Sequence, residues 1–329
     1  MRVGRFFGGM VSIAAAVLLL AACDLKDQQT IIKLGHSLDA SHPSHKGIEY
    51  MNERLHEYSG GTMSIDIYPS GQLGSERESI ELLQIGSLGM IRVSASPLEG
   101  FIPRMKVFSL PYIFDDNEHF WRVLDSDLGK SLLLDGEPFL VRGLGYFDAG
   151  SRSFYTTENP VNSPSDLSGQ KIRVMNSQTA VAMVNSMGGS ATPISYGELY
   201  TSLQQGVVDG AENNPPSFHL SRHYEVSKFY TLDEHTSIPD IIMISQYVWS
   251  TLRPEQQEWL QLAVDDASVY QRAAWQSATE EAMAAVEAAG VTVIRPDKKL
   301  FFDSVQPVYE SETNLEILAT VKAIRAMVN

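Results

Sequence analysis

Gly150-Ser151-Arg152-Ser153-Phe154-Tyr155, Gln170-Lys171-Ile172-Arg173-Val174-Met175 and Val208-Asp209-Gly210-Ala211-Glu212-Asn213-Asn214 all fall within residues 150–214. The first two segments read as short apolar strands that each carry an arginine, and in the second Arg173 alternates with Ile172 and Val174 at the period of a strand. The third brings a carboxamide pair to a turn. Between them Gln178 to Met187 reads as a helix stopped by Gly188-Gly189, and Ala191 to Ile194 as another strand. Strand, helix, strand in this order is the pattern of an α/β fold. An arginine between Ile172 and Val174 on such a strand points to one face of the sheet. A guanidinium is a rigid fork of donors that fits a planar carboxylate and keeps its charge when water is removed. The residues thus describe a receptor for a small organic acid; the same pattern also fits two arginines on the wet face of half-buried strands.

Working outward, the N-terminal half repeats the alternation. Ile31 to Ser37 reads as a strand, and Pro43 to Tyr58 as a helix with Ile48, Met51, Leu55 and Tyr58 on one face, closed by Gly60-Gly61. Met63, Ile65 and Ile67 alternate as a second strand, a helix covers about Ser75 to Ile85, and Leu88 to Ser94 forms a third strand. Such a series predicts largely parallel sheets wrapped by helices. Further on, Phe139 to Phe147 is extended. Ser195-Tyr196-Gly197-Glu198 has the spacing of a capping box for a helix to Gln205, and Val207-Val208 is the next short strand. Pro254 to Ala289 is a helical run stopped by Gly290, long enough to lie along two lobes or to break near Asp266; Glu280 and Glu281 mark a solvated face. Two α/β units facing each other make a cleft, and ligands of such sheets sit beyond the carboxyl ends of the strands.

The formal net charge is −15, and removing Arg2 and Arg5 with a leader makes it more negative. So acidic a surface argues against nucleic acid or an anionic membrane as partner. It does not argue against a small anion in a cleft, because exposed charges beyond about 10 Å are largely screened at physiological salt. The start of the chain has a basic beginning, an apolar run from Met10 to Leu20 and Leu20-Ala21-Ala22-Cys23. The run is short for a membrane span and reads as an export leader. Leu-Ala-Ala-Cys resembles a lipobox, in which Cys23 is lipidated; an ordinary cleavage site beside an incidental cysteine is the other reading. Cys23 is the only cysteine, so the fold has no disulfide and no thiolate metal site.

Enzyme signatures are few. Gly-x-Ser-x-Gly, His-Glu-x-x-His and a dinucleotide glycine fingerprint are all missing. Gly129-Lys130-Ser131 imitates the end of a phosphate loop, but Leu124 stands where that loop needs glycine. His42, His45 and Glu49 have helical spacing suited to a metal, although an exposed first helical turn explains them too, and no metal or other cofactor is expected. Glu76 and Glu212 are carboxylates of the kind a sugar-processing enzyme of the cell envelope, a lyase or hydrolase, would use, with nothing in the sequence to bring them together. A tethered structural module is a third reading, disfavoured by the cleft-forming alternation.

Four segments carry a resemblance: Tyr68-Pro69-Ser70-Gly71-Gln72-Leu73-Gly74, Phe108-Ser109-Leu110-Pro111-Tyr112-Ile113-Phe114, Leu167-Ser168-Gly169-Gln170-Lys171-Ile172-Arg173 and Gly206-Val207-Val208-Asp209-Gly210-Ala211-Glu212-Asn213. Together they are similar to the solute-binding subunits of tripartite ATP-independent periplasmic (TRAP) transporters, over nearly the whole chain after the leader. The resemblance implies a two-lobed periplasmic binding protein fold with a long helix spanning both lobes, which closes on an organic acid and delivers it to membrane permease subunits. The N-terminal reading makes residues 1–22 a lipoprotein-type leader and 23–30 a tether, and the resemblance puts a first lobe mainly over 31–149 and a second mainly over 150–240. Crossing strands, the long helix and the C-terminal helices then occupy 241–329.

By position, the resemblance makes Arg173 the clamp on the ligand carboxylate, Arg152 its second arginine and Asn213 a further carboxylate contact. Glu76 falls where a carboxylate reads ligand hydroxyls, and Ser37 and Ser94 at first-lobe strand ends. Arg92 in Met90-Ile91-Arg92-Val93-Ser94 and the run Glu212-Asn213-Asn214-Pro215-Pro216 look most like the binders of sugar acids, uronates and aldonates. His36 and His235 are expected to bond further hydroxyls or to brace the scaffold. Most such subunits diffuse freely in the periplasm, so a lipid on Cys23 would be a departure.

Overall fold

A computed structural model describes residues 29–328, which leaves the expected leader, Cys23 and most of the expected tether outside the described residues. Two sheets organise the chain. The first has strand order β2-β1-β3-β10-β4, with β1 Thr30–Gly35, β2 Met63–Tyr68, β3 Met90–Ser94, β4 Val141–Phe147 and β10 Asp240–Ser245. The second has order β11-β9-β5-β8-β6-β7, with β5 Ser151–Thr156, β6 Lys171–Val174, β7 Ser190–Pro193, β8 Gly210–Asn213, β9 Phe229–Ser237 and β11 Thr292–Ile294. β1 lies parallel to β2 with Ile32 opposite Ile65, and both side chains are buried, as period-2 alternation requires.

The sheets are mixed rather than all parallel. In the first, β10 runs against β3 and β4; in the second, β5 runs against β8 and β9. Each reversed strand is the one that has just crossed from the other sheet. β4 leads into β5 through Asp148-Ala149-Gly150, and β9 leads back into β10 through Ile238-Pro239. Two short connections therefore join two lobes, and Arg152 and Asp240 sit immediately beyond them.

The third link is the helix Pro254–Ala288, continuous over 35 residues. It does not break near Asp266, whose carboxylate accepts from Arg54 Nε at 2.8 Å and the Tyr58 hydroxyl at 2.7 Å. Its buried residues form one stripe from Gln256 to Val286. Leu260, Ala263, Val264 and Ala267 pack in the first lobe with Ile48, Met51, Leu55 and Phe147. Val286 packs in the second with Tyr155, Phe218 and Tyr230. Midway, the Gln271 side chain accepts from Asp148 N at 2.7 Å and donates to Asp148 O at 2.8 Å, pinning one crossing connection to the helix. Glu280 and Glu281 are exposed.

Several local expectations change. The helix Glu76–Gln84 starts with a reciprocal Ser75/Glu78 capping box, but Ser195 makes no side-chain cap and Tyr196–Glu198 is a 3-10 turn. Val207-Val208 is not a strand: Val207 is exposed, Val208 faces the core, and pairing begins at Gly210. A side chain at Gly210 would meet Tyr155 O at 2.5 Å, so only glycine lets β8 approach β5 there. β4 begins at Val141 because Glu137–Phe139 is a 3-10 turn and Leu140 is left-handed. Gly129-Lys130-Ser131 lies inside the helix Asp127–Leu134. Among the described residues, no helix is long and apolar enough to cross a membrane.

Candidate functional site

Strands of the parallel pairs end, and the reversed strands β5 and β10 begin, at a cleft between the lobes. Ser37, Glu76, Arg92 and Ser94 line it from the first lobe; Arg152, Arg173, Asn213, Asn214, Tyr196 and Ser217 line it from the second, with Asp240 beside the connection. About 370 Å³ is free of protein atoms, part of it open to solvent. Seven of the residues singled out in the sequence thus meet in one cavity. His36 and His235 are not on its lining.

On the second-lobe wall the two arginines differ. Arg152 Nη2 donates to Glu212 Oε1 at 3.0 Å and to the Glu212 carbonyl at 2.9 Å, Nε donates to Glu212 Oε2, and Nη1 donates to Asn213 Oδ1 at 2.8 Å. Its charge is already answered. Arg173 is 2 % exposed, and its one protein hydrogen bond runs from Nε to Ile194 O at 2.8 Å. Arg173 Nη1 is buried without a hydrogen-bond partner among the described residues. Burial pushes its pKa below the usual arginine value, and the guanidinium lies 6.0 Å from the Tyr196 ring centre, at the limit of a cation–π contact. A desolvated cation without an anion is costly unless a ligand supplies one. Asn213 Oδ1 accepts from both Arg152 and Asn214 N, which leaves its NH2 group as the donor for a ligand. Asn214 caps the helix Pro215–Leu220 through Ser217 N at 2.8 Å.

The first-lobe wall has the opposite sign. Arg92 donates from Nε to Asp240 Oδ2 at 2.6 Å and from Nη1 to Glu76 Oε1 at 3.0 Å, so one guanidinium serves two carboxylates. Glu76 Oε1 also accepts from Ser94 N at 3.2 Å and, more weakly, from Ser37 Oγ at 3.5 Å. All of Glu76's protein hydrogen bonds fall on Oε1, so Oε2 remains as an acceptor. Burial raises the Asp240 pKa to about 6 against the pull of Arg92.

The two histidines stand one layer back. His36 Nδ1 accepts from Leu38 N at 3.2 Å, which places its proton on Nε2, 2.9 Å from His45 Nδ1; His45 Nε2 in turn lies 3.3 Å from Glu49 Oε1. This chain holds the backbone of the Ser37-Leu38 corner. Burial, Arg92 and His45 lower the His36 pKa to about 3. His42 and His45 are buried, not on an exposed helical turn; His42 Nδ1 caps Ser44 N, and Nε2 reaches across the lobes to Ser217 Oγ at 3.3 Å. No group of side chains able to hold a metal occurs among the described residues.

His235, fully buried, packs against the Phe154 ring at a tilt of 33°, with Nδ1 2.8 Å from Asp233 Oδ2 and Nε2 3.6 Å from Glu212 Oε2. Burial opposes its charge, but those two carboxylates raise its pKa to about 9. Burial likewise opposes the charge of Glu212, yet Arg152 and His235 bring its pKa down to about 2. Glu212 is thereby held as a carboxylate at neutral pH, paired with Arg152.

Sequence reasoning missed Asp240, Tyr196 and Ser217. Asp240 had a signal, a charged residue opening the apolar run Ile241-Ile242-Met243-Ile244. Ser217 and Tyr196 had none, being ordinary turn and helix residues by pattern.

Three comparisons bear on this arrangement. A protein of Salmonella typhimurium, the uncharacterized YiiZ, is 37 % identical over 312 residues, covering 93 % of this chain and 94 % of its own. A TRAP periplasmic solute-binding protein from a Bradyrhizobium species, solved in complex with D-galacturonate, is 39 % identical, with a TM-score of 0.88 over 90 % of this chain and 99 % of that one. One from Roseobacter denitrificans with bound β-D-glucuronate is 35 % identical, with the same TM-score and the same coverage. Such neighbours share the two-lobed architecture described above. The profile of the DctP family, bacterial extracellular solute-binding protein family 7, matches residues 34–314, and the chain belongs to that family.

Proposed function

We propose that the protein captures a sugar acid, a hexuronate such as D-glucuronate or D-galacturonate, by closing its two lobes over it, and delivers it to the membrane permease subunits of a TRAP transporter. The observation that carries this reading is Arg173, a buried guanidinium with an unpartnered Nη1 on a cavity wall. A ligand carboxylate completes its fork, with the Asn213 amide donating to the same group. Arg152, held by Glu212, fixes that amide and offers its remaining N–H. At the far side Glu76 Oε2 accepts from sugar hydroxyls, and the Ser37 and Ser94 hydroxyls lie beside it. His36 and His235 act from behind, on the Ser37-Leu38 corner and on Glu212. Micromolar capture is about −8 kcal/mol, within reach of several charge-assisted hydrogen bonds at about 1.5–3 kcal/mol each after the costs of association.

The uronates bound by structural neighbours favour the sugar-acid class. Binding without chemistry is the reading for the same reason. A thermal-shift series with D-glucuronate, D-galacturonate, D-gluconate and succinate tests it: the uronates should raise the melting temperature most, since a ligand bound only to the folded state stabilises it. Mass spectrometry should recover the sugar unchanged; no shift with any uronate, or turnover, overturns the proposal. We also place the protein outside the cytoplasmic membrane, tethered through lipidated Cys23. Cys23→Ser should then move it from the membrane fraction to the soluble one, and an unaltered distribution removes the tether.

A further inference from the structure

Charges at the cavity balance before any ligand arrives. Arg92 stands between Asp240 and Glu76, and Arg152 is paired with Glu212, so Arg173 alone offsets the remaining carboxylate. They are also separated by side: the surplus cation is on the second-lobe wall, and the surplus anion, Glu76, is on the first. The adjoining groove at the cleft edge continues the same sign. It is lined by Glu76, Glu78 and Glu198 and by no lysine or arginine. One bare cationic donor and one bare anionic acceptor are what the cavity leaves unfilled, on Arg173 and on Glu76 Oε2.

From this polarity we propose that the site takes one carboxylate and refuses a second, and that Glu76 is the residue that refuses it. The inference rests on the sugar-acid reading and sharpens it: a uronate or aldonate is held, and the diacid of the same carbon chain is not. With the acid end on Arg173, the far end of a six-carbon sugar acid meets Glu76 and Asp240. A hydroxyl there donates a hydrogen bond to Glu76. A carboxylate there has no donor to offer and no unpaired cation to meet, since Arg92 is committed on both sides. Reversing the ligand leaves the second acid group in the same place. Specificity of this kind comes from the repulsive element as much as from the attractive one.

Calorimetry with D-glucuronate, D-gluconate and D-glucarate on the wild type and Glu76→Gln tests it. D-Gluconate and D-glucarate differ only in CH2OH against carboxylate at one end, so their ratio isolates the second charge. The wild type should bind D-glucarate weakest, and Glu76→Gln should gain about tenfold or more for D-glucarate while losing affinity for D-glucuronate. A gain of binding cannot come from a damaged fold. If Glu76→Gln shows no gain for D-glucarate, or if the wild type holds D-glucarate as tightly as D-glucuronate, the inference falls and the sugar-acid reading stands. If no sugar acid binds the wild type, both fall.

Discussion

At the residue scale, the difference between Arg152 and Arg173 matters more than their likeness. Both are buried arginines on one sheet, on β5 and β6 with β8 between them, and by pattern they are equivalent. Arg152 is neutralised in place by Glu212, whereas Arg173 has one carbonyl partner and a bare Nη1. The ligand-free protein therefore bears the cost of an unpaired buried cation, which a carboxylate removes. Arg173→Met keeps the length of the side chain and deletes the charge. It should weaken uronate binding by about 100-fold or more, about 2.7 kcal/mol, while the ligand-free melting temperature stays level or rises. Arg173→Lys should recover little affinity, because an ammonium lacks the planar fork. Calorimetry and thermal melts on the three proteins decide; unaltered affinity with a lowered melting temperature would make Arg173 scaffold. The sequence showed that an arginine alternating with Ile172 and Val174 points at one face of a sheet, but not which arginine has a partner. Arg92 and Asp240 meet from 148 positions apart, and only the fold brings an acid that distant to a given base.

The elements carry that fold through three links between lobes, and the tightest is Asp148-Ala149-Gly150. Gly150 has φ +57°, and a side chain there would meet Trp275 Nε1 of the long helix at 2.9 Å. The chain turns here from one sheet to the other directly against the helix that spans both, so the position needs left-handed backbone and room. Gly150→Val adds a β-branched side chain in both respects and should cost about 2 kcal/mol or more, read as a lower urea midpoint. An unchanged midpoint would show that the connection is loosely packed. Helices and strands with clean periods were readable from local pattern: Ile48, Met51 and Leu55 mark one helix face, and Ile32 and Ile65 pair across two strands. The reversed directions of β5 and β10 were not readable, because parallel and antiparallel strands with buried faces have the same composition. Val207-Val208 failed for a related reason: two apolar residues look like a strand until the close approach at Gly210 shows where pairing can start.

For the molecule as a whole, buried imidazoles in both lobes couple stability to pH. Burial lowers His36 and His223 to about 3 and His42 well below its usual value, with Arg92 adding to the effect at His36 and His42, and Arg173 at His223. An unfolded histidine titrates near 6.5, so on acidification the unfolded chain takes up these protons first, and the stability they contribute is full above pH 6.5 and lost progressively toward pH 3. Asp240 works in the other direction: raised to about 6, it is protonated first in the folded state and favours that state as the pH falls. Burial raises Asp135, Asp148 and Asp233 in the same sense as Asp240, but the three histidines begin to cost stability at a higher pH, because their unfolded forms take up protons near 6.5. The acidic surface is relieved of self-repulsion as the pH nears the isoelectric point of about 4.9, but those charges are exposed and screened. The melting temperature should therefore fall between pH 7 and pH 5. On the alkaline side His235, raised to about 9, contributes stability that is complete below pH 6.5 and lost as the pH rises through 9. Its loss releases the brace on Glu212 and so on Arg152. Melting curves from pH 5 to 10 at constant ionic strength should show both limbs, and His235→Asn should flatten the alkaline one while leaving the acid one in place. An alkaline limb equally steep in the variant would take His235 out of the account, and stability still rising at pH 5 would mean that surface repulsion outweighs the buried histidines.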